Sequence, residues 1–279
     1  YYDDIIEKIV RGEKIEYVPT EYKVYEREES SEKVRRLVSL SAKDRVITTN
    51  LALRLCSKMK INWKSFSYHI SYTSQERIFY YWYSSWGKFI DHIRVFTEIP
   101  FMDNYEAFYI DLKGFYDHID FVSVFRSFEN FLDEETKNIF VFLTEFNDIL
   151  MKKLQNGRRI GVPQGPAYAR IIAEMFLNQL LESMCQQFKN SGFYMYRYVD
   201  DIVFFCEPDF DGKAMYDYLI GTLPSAGLPI NYDKTKYFGK ISSINDEDRR
   251  ELLHQDSFNY ELKAVSYTHL RAHETGRNL

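Results

Sequence analysis

The stretch that decides the fold is Phe193-Tyr-Met-Tyr-Arg-Tyr-Val-Asp-Asp-Ile-Val-Phe-Phe-Cys206. Two runs of aromatic and β-branched residues, types that favour a pleated and half-buried backbone, meet at Asp200-Asp201. Asp is depleted in strands, and neighbouring side chains on a strand point to opposite faces. The acid pair therefore belongs in a tight turn, and the stretch reads as a hairpin. An ordinary acidic turn satisfies the same pattern.

Upstream, Ala107-Phe-Tyr-Ile-Asp-Leu112 reads as a short buried strand that ends at another acid, Asp111. Carboxylates gathered at strand ends destabilise a fold unless positive charge neutralises them. Hard cations such as Mg²⁺ do this with oxygen ligands, shared between carboxylates and substrate phosphates. Two such ions about 3.5–4 Å apart activate an attacking hydroxyl and stabilise a leaving oxygen. The residues thus read as a centre for two-metal phosphoryl or nucleotidyl transfer, with Mn²⁺ a possible substitute for Mg²⁺.

Around these strands the pattern is helical. Arg45–Lys60, Ile78–Ile93, Phe121–Phe131, Glu134–Leu154 and Asp211–Leu223 read as helices, and Asn156-Gly157 as a turn. Pro163-Gln-Gly-Pro166 opens a long helix, Ala167–Phe188, with Gly192 just past its end. Ile230–Phe238 leads into a further strand. This order is α+β, without regular βαβ alternation. The aromatic cluster Phe79, Tyr80, Tyr81, Trp82, Tyr83 and Trp86 could stack on bases, although core packing is the commoner use of such rings.

Charge is uneven. Residues 1–32 hold ten acids and five bases, whereas residues 33–64 hold nine bases and one acid, Asp44. The basic run could attract phosphate, and reads equally as a solvated helix face. The chain as a whole carries a net charge of −5 over 279 residues, so it is not coated in basic charge. No apolar run approaches the ~18 residues of a membrane span. Three distant cysteines form neither a disulfide framework nor a zinc pattern, which points to a reducing, cytoplasmic setting.

Four segments in order resemble the motifs of reverse transcriptases. Tyr109-Ile-Asp-Leu-Lys-Gly-Phe-Tyr-Asp-His-Ile-Asp120 is similar to the first palm motif and Gly161-Val-Pro-Gln-Gly-Pro166 to the second. Tyr198-Val-Asp-Asp201 resembles the catalytic hairpin, and Gly227-Leu-Pro-Ile-Asn-Tyr-Asp-Lys-Thr235 the motif after it. The likeness covers roughly residues 37–238 and is weakest before Tyr105. The second motif, with Ala169-Arg170 and its helix, is closest to bacterial members of the abortive-infection and antiphage groups, with retrons and group II introns the nearest competitors.

The resemblance implies a right-hand polymerase, its fingers and palm built on an antiparallel sheet backed by helices. Residues 1–104 would form an N-terminal segment and fingers. Residues 105–245 would form the palm, with a fingers-like helical insertion around 121–160, and residues 246–264 the start of a thumb or linker. Most of the thumb is expected to be missing. It further implies RNA-directed DNA synthesis from an RNA template, a nucleic-acid primer and dNTPs. Asp111, Asp200 and Asp201 would be metal ligands, joined by the Leu112 carbonyl. Tyr116 would lie under the sugar and exclude a 2′-hydroxyl; read alone it is a half-buried aromatic. Gln164 and Gly165 would approach the nascent base pair, where glycine permits close backbone approach. Lys234 would act as a general acid toward pyrophosphate, or is a solvated strand-end lysine. Lys43 and Arg45 would bind triphosphate. Arg158 and Arg159 would touch template phosphate, or form a solvated turn.

Two other functions fit the same residues: untemplated or protein-primed DNA synthesis, and a binding or assembly module with little catalysis. The intact acid set argues against the second, and Tyr116 with the Tyr198-Val-Asp-Asp201 hairpin argues against an RNA-making polymerase. Residues 265–279 resemble translated sequencing-adapter read-through. The pair His269 and His273 is therefore set aside, and the natural frame is expected to continue past about Ala264.

Overall fold

The computed structural model describes residues 2–17, 19–20, 22–30, 33–59, 65–71, 78–154, 160–188 and 192–254. Arg158, Arg159, the Asn156-Gly157 turn and the tail 265–279 lie outside the described residues.

Eight helices and six strands are described. They run α1 (Tyr2–Val10), β1 (Tyr22–Ser30), β2 (Lys33–Leu40), α2 (Ala42–Met59), α3 (Trp82–Glu98), β3 (Glu106–Asp111), α4 (Phe121–Phe128) and α5 (Glu134–Leu154). There follow α6 (Ala167–Cys185), β4 (Phe193–Tyr198), β5 (Asp201–Cys206), α7 (Gly212–Thr222), β6 (Lys236–Lys240) and α8 (Asp246–Leu252). The strands form a two-stranded hairpin, β1–β2, and a four-stranded sheet in the order β4-β5-β3-β6. All the pairings within these sheets are antiparallel.

The four-stranded sheet explains the unbroken apolar runs of β3 and β5. Phe108, Ile110, Ile202 and Phe204 enter one apolar cluster with α2, α5, α6 and α7. Ala107, Tyr109, Val203 and Phe205 enter a second with α3 and the end of α8. Both faces are covered, so neither strand needs alternating polar residues. Phe108 and Phe204 are cross-strand partners whose rings stack at 4.5 Å. Such a pair adds about 0.5–1.5 kcal/mol beyond its burial.

Where expectation and structure differ, the reasons are local. The helix expected from Ile78 begins only at Trp82, because Phe79 bridges back to Ile70. The aromatic cluster divides: Trp86 is buried, whereas Tyr80, Tyr81 and Tyr83 are exposed. Phe121–Phe131 ends its α-helix at Phe128 and closes with a short 3₁₀ turn. The final strand starts at Lys236, and Ile230 instead makes an isolated bridge to Leu112.

The charge contrast near the N-terminus also has a structural outlet. Acid-rich β1 pairs with basic β2, with Glu26 opposite Arg36 and a salt bridge of 3.3 Å between them. An exposed pair of this kind contributes at most about 1 kcal/mol.

Candidate active site

Three carboxylates gather at one end of the four-stranded sheet. Asp111, the last residue of β3, pairs with Asp201, the first of β5. Because Tyr198 pairs with Asp201, the two-residue turn is Val199-Asp200, and Asp201 opens the returning strand. The turn thus sits one residue earlier than the acid pair alone suggests.

Asp111 is only 8% exposed. Its Oδ2 accepts a hydrogen bond from Asn231 Nδ2 at 2.7 Å. Its N–H donates to Thr235 Oγ1 at 3.1 Å, and its carbonyl accepts from Asn231 N–H at 2.9 Å. The segment after α7 therefore grips this acid by side chain and backbone together. Tyr109, two residues earlier and so on the same face of β3, donates its hydroxyl to Asp201 Oδ1 and lies 3.4 Å from Asp111 Oδ1. Burial, then the charges of Asp201 and Asp111, hold the Tyr109 phenol well above its ordinary pKa, so it remains a donor.

Leu112 follows in the bridge to Ile230, flanked by the Lys113 N–H to Pro229 carbonyl bond of 2.8 Å. Asp111 and Lys113 use their amide groups on the Ile230 side. By strand alternation the Leu112 carbonyl points the other way, toward the β5 side of the sheet.

The donor set suits a hard divalent cation, since every side-chain donor is a carboxylate oxygen. Among the described residues no three His, Cys, Asp or Glu side chains already converge as a metal cage.

Tyr116 lies on a 3₁₀ turn, Phe115–His118, and is 8% exposed. Its hydroxyl donates to that of Tyr68 at 3.1 Å, and the Arg170 guanidinium lies 5.3 Å from the Tyr68 ring centroid. Burial, followed by the neighbouring Tyr68, raises the Tyr116 pKa well above the ordinary range. The loop before α6 is strapped to this turn by Val162 N–H to the Tyr116 carbonyl at 2.8 Å.

Gln164 and Gly165 are tied to β2. Gln164 bridges Leu37, and its carbonyl accepts from Val38 N–H at 2.7 Å. At Gly165 φ is +121°, and a Cβ there would meet the Val38 carbonyl oxygen at 2.5 Å. The close approach this glycine permits is to β2.

Lys43 and Arg45 flank Asp44, a fully buried carboxylate. Asp44 accepts from Tyr17 at 2.5 Å, from Thr20 N–H at 2.9 Å and from Ser41 Oγ at 2.9 Å. Lys43 Nζ lies over the Tyr17 ring at 4.6 Å, and exposed Arg45 donates to the Leu40 carbonyl at 3.2 Å. Lys234 is exposed on the turn after Asn231. Asp120, inside the first motif, caps α4 by accepting from Val122 and Ser123 N–H groups.

Several residues with direct roles in this geometry carry no role in the sequence reading: Tyr109, Asn231, Thr235 and Tyr68. Tyr109 was findable, because strand alternation puts residues two apart on one face. Asn231 and Thr235 sit inside a quoted motif, but only the structure shows what they grip. Glu174 and Arg197 left another signal, as ionisable residues inside apolar runs.

With this geometry in view, residues 27–260 match the family described as Reverse transcriptase (RNA-dependent DNA polymerase). The chain belongs to the reverse transcriptase family. One solved structure supports the fold of this reverse transcriptase. Telomerase from Candida tropicalis, in complex with a TWJ fragment of telomeric RNA, aligns with a TM-score of 0.52 at 12% identity, over 83% of this chain and 45% of that one. Telomerase from Candida albicans, in the corresponding complex, gives 0.47 at 15% identity over 81% and 43%. At these identities the likeness is one of fold, and the chain spans less than half the length of the telomerase chains it matches. No curated protein matches it in sequence. Among the described residues no helix is long and apolar enough to cross a membrane.

Proposed function

We propose that the chain carries out RNA-directed DNA synthesis, joining a primer 3′-hydroxyl to the α-phosphate of a dNTP opposite an RNA template. The observation that carries this reading is the gathering of Asp111, Asp200 and Asp201 at one end of the β3–β5 pair. The new O3′–Pα bond replaces the bond from Pα to the β-phosphate oxygen, and pyrophosphate leaves. Asp111, Asp200 and Asp201, with the Leu112 carbonyl, would hold Mg²⁺ or Mn²⁺. When bound, two such ions supply charge stabilisation to the attacking and leaving oxygens.

The chain's own residues have separate tasks. Asn231 and Thr235 hold Asp111 rigid, which matters because positioning and charge stabilisation provide nearly all the catalysis in phosphoryl transfer. Tyr116 is the proposed block to a 2′-hydroxyl. Its hydroxyl is tied to that of Tyr68, a rigidity that suits steric discrimination. Lys234 is proposed to protonate the leaving pyrophosphate, and its exposed position leaves it able to reach a substrate. Lys43 and Arg45 are proposed triphosphate contacts, and Gln164 and Gly165 contacts to the nascent pair. Arg158 and Arg159 remain proposed template contacts on sequence grounds.

We further propose a bacterial, cytoplasmic setting in antiphage defence, on the strength of the Gly161–Pro166 motif and its helix. Cys56, Cys185 and Cys206 are buried thiols rather than disulfides, which suits a reducing compartment.

The test is extension of a primed RNA template with Mg²⁺ or Mn²⁺, wild type beside Asp200→Asn, with the product sequenced. Product from the wild type alone, copying the RNA, supports the reading. Product unrelated to the template transfers the chemistry to untemplated synthesis. Silence from both, with folded protein bound to the duplex, removes templated copying.

A further inference from the structure

We propose that a buried ring of hydrogen bonds through Ser67, Glu174 and Arg197 positions Asp200 and Asp201 by locking the turn residue before them. This inference rests on the reading of those acids as metal ligands.

Val199 is the first central residue of the hairpin turn, and its φ is +54°. Asp200 is not among the residues of positive φ, so the turn follows the type II′ pattern, which prefers glycine at its first central position. A β-branched residue in the left-handed region is an outlier that persists only where its surroundings over-determine it.

The surroundings do so from both sides of the residue. Val199 N–H donates to Ser67 Oγ at 2.9 Å, and the Val199 carbonyl accepts from an Arg197 terminal nitrogen at 2.8 Å. Ser67 Oγ donates to Glu174 Oε1 at 2.5 Å. Arg197 donates from its other terminal nitrogen to Glu174 Oε2 at 2.6 Å and to Asn178 Oδ1 at 2.6 Å. The ring is therefore closed: Val199 to Ser67, to Glu174, to Arg197 and back to Val199. Phe66 N–H, bonded to the Arg197 carbonyl at 2.8 Å, adds a strap from the same segment.

The ion pair at its centre is fully enclosed, with Arg197 and Glu174 side chains 0% and 1% exposed. Burying two charges is a poor way to gain stability, since desolvation offsets much of their attraction. What the pair provides is direction. A planar guanidinium presents its donors in a fixed fork, and a buried carboxylate fixes where that fork points. Segment 65–67 and the end of β4 thereby hold the peptide groups on either side of Val199, and Glu174 of α6 ties the two together. Asp200 follows Val199 directly, and Asp201 follows next. None of the three side chains is placed to touch substrate, so these are positioning residues.

Ser67→Ala is the mildest break, because it removes one hydroxyl and leaves the ion pair. We measure kcat and KM for dNTP on a primed RNA template, the melting temperature, and the rise in melting temperature caused by Mn²⁺. The expected result is a kcat lower by roughly tenfold, the rate equivalent of about one lost hydrogen bond, with KM unchanged and a smaller Mn²⁺-induced rise. Adding Val199→Gly, which occupies the turn conformation without penalty, restores part of the lost kcat. A role confined to stability would lower the melting temperature alone and show no such rescue.

Wild-type kcat and an undiminished Mn²⁺ response in Ser67→Ala overturn the proposal, as does a failure of Val199→Gly to rescue. Glu174→Gln, of the same shape, carries the same expectations should Ser67→Ala not fold. Asp200→Asn runs alongside: if it keeps synthesis and the Mn²⁺ response, the metal-ligand reading itself fails. If it loses both while Ser67→Ala keeps both, only the lock fails.

Discussion

Tyr109 and Asp201 sit on adjacent antiparallel strands, and the phenol of one donates to the carboxylate of the other while reaching toward Asp111 as well. A single neutral hydroxyl thus mediates between two acids that would otherwise repel. Replacing it leaves the acids in place and removes the mediator. Tyr109→Phe is expected to lower the melting temperature without divalent ions by roughly 3–12 °C, following from about 1.5–3 kcal/mol for a hydrogen bond to a charged acceptor. The Mn²⁺-induced rise should be larger than in wild type, since a cation then relieves the repulsion. Melting curves equal to those of the wild type, both with and without Mn²⁺, would show that the phenol mediates nothing.

Gly165→Ala tests the junction between β2 and the loop before α6. Its Cβ would press on the Val38 carbonyl at 2.5 Å, from a φ of +121°. The expected loss is at least about 2 kcal/mol, read from urea melts. Faster hydrogen exchange at Val38 N–H should accompany it. A variant within about 0.5 kcal/mol of wild type, the ordinary range for a neutral surface change, would mean that the junction yields without penalty.

His254 makes stability depend on pH. It is packed against the rings of Trp86, Phe89 and Tyr109, and burial followed by the charge of Lys234 lowers its pKa to about 4. The folded state therefore needs the neutral imidazole, while the unfolded chain takes up a proton near 6.5. The stabilisation is present in full above about pH 6.5 and is lost as pH falls toward 4, by about 3 kcal/mol in all. His254→Asn tolerates the positive φ and should flatten this limb of the stability curve. An unchanged slope would assign the acid loss to other groups.

Tyr81 and Tyr83 stack on each other at 5.0 Å and are 50% and 51% exposed. Replacing both with Ser is expected to weaken binding of single-stranded RNA by about tenfold, the scale of one base stacked on an aromatic ring. The melting temperature should move little, because neither ring belongs to the core. Unaltered affinity would return this pair to ordinary surface.

Much of the fold was legible because its periodicities are strong. The β4–β5 hairpin, α5 and the start of α6 lie where the residue patterns put them, since strand runs, helix punctuation and turn residues agree there. The β1–β2 hairpin was hidden, because Tyr22–Leu40 reads as charge blocks rather than alternation. Its pairing is specified partly across the strands, as between Glu26 and Arg36. The three acids stood out as carboxylates at strand ends. Their supports did not, because Asn231, Thr235 and Ser67 are ordinary polar residues whose partners lie more than a hundred residues away in the chain. Gly165 was read as approaching the nascent base pair, whereas the close approach in the structure is to the Val38 carbonyl of β2, which sequence alone does not give.

The fastening of α6 sets limits on how parts of this chain could be exchanged. Just before the helix, Gln164 is bridged to β2; within it, Glu174 binds Arg197 of β4. A graft of residues 193–206 alone into another scaffold would carry a buried arginine away from its carboxylate and strand it. The acidic hairpin is therefore not a portable module. The smallest unit that keeps this hydrogen-bonded ring together runs from Glu174 to Cys206, accompanied by the short Ser65–Tyr68 segment, and it still needs β3 beside β5.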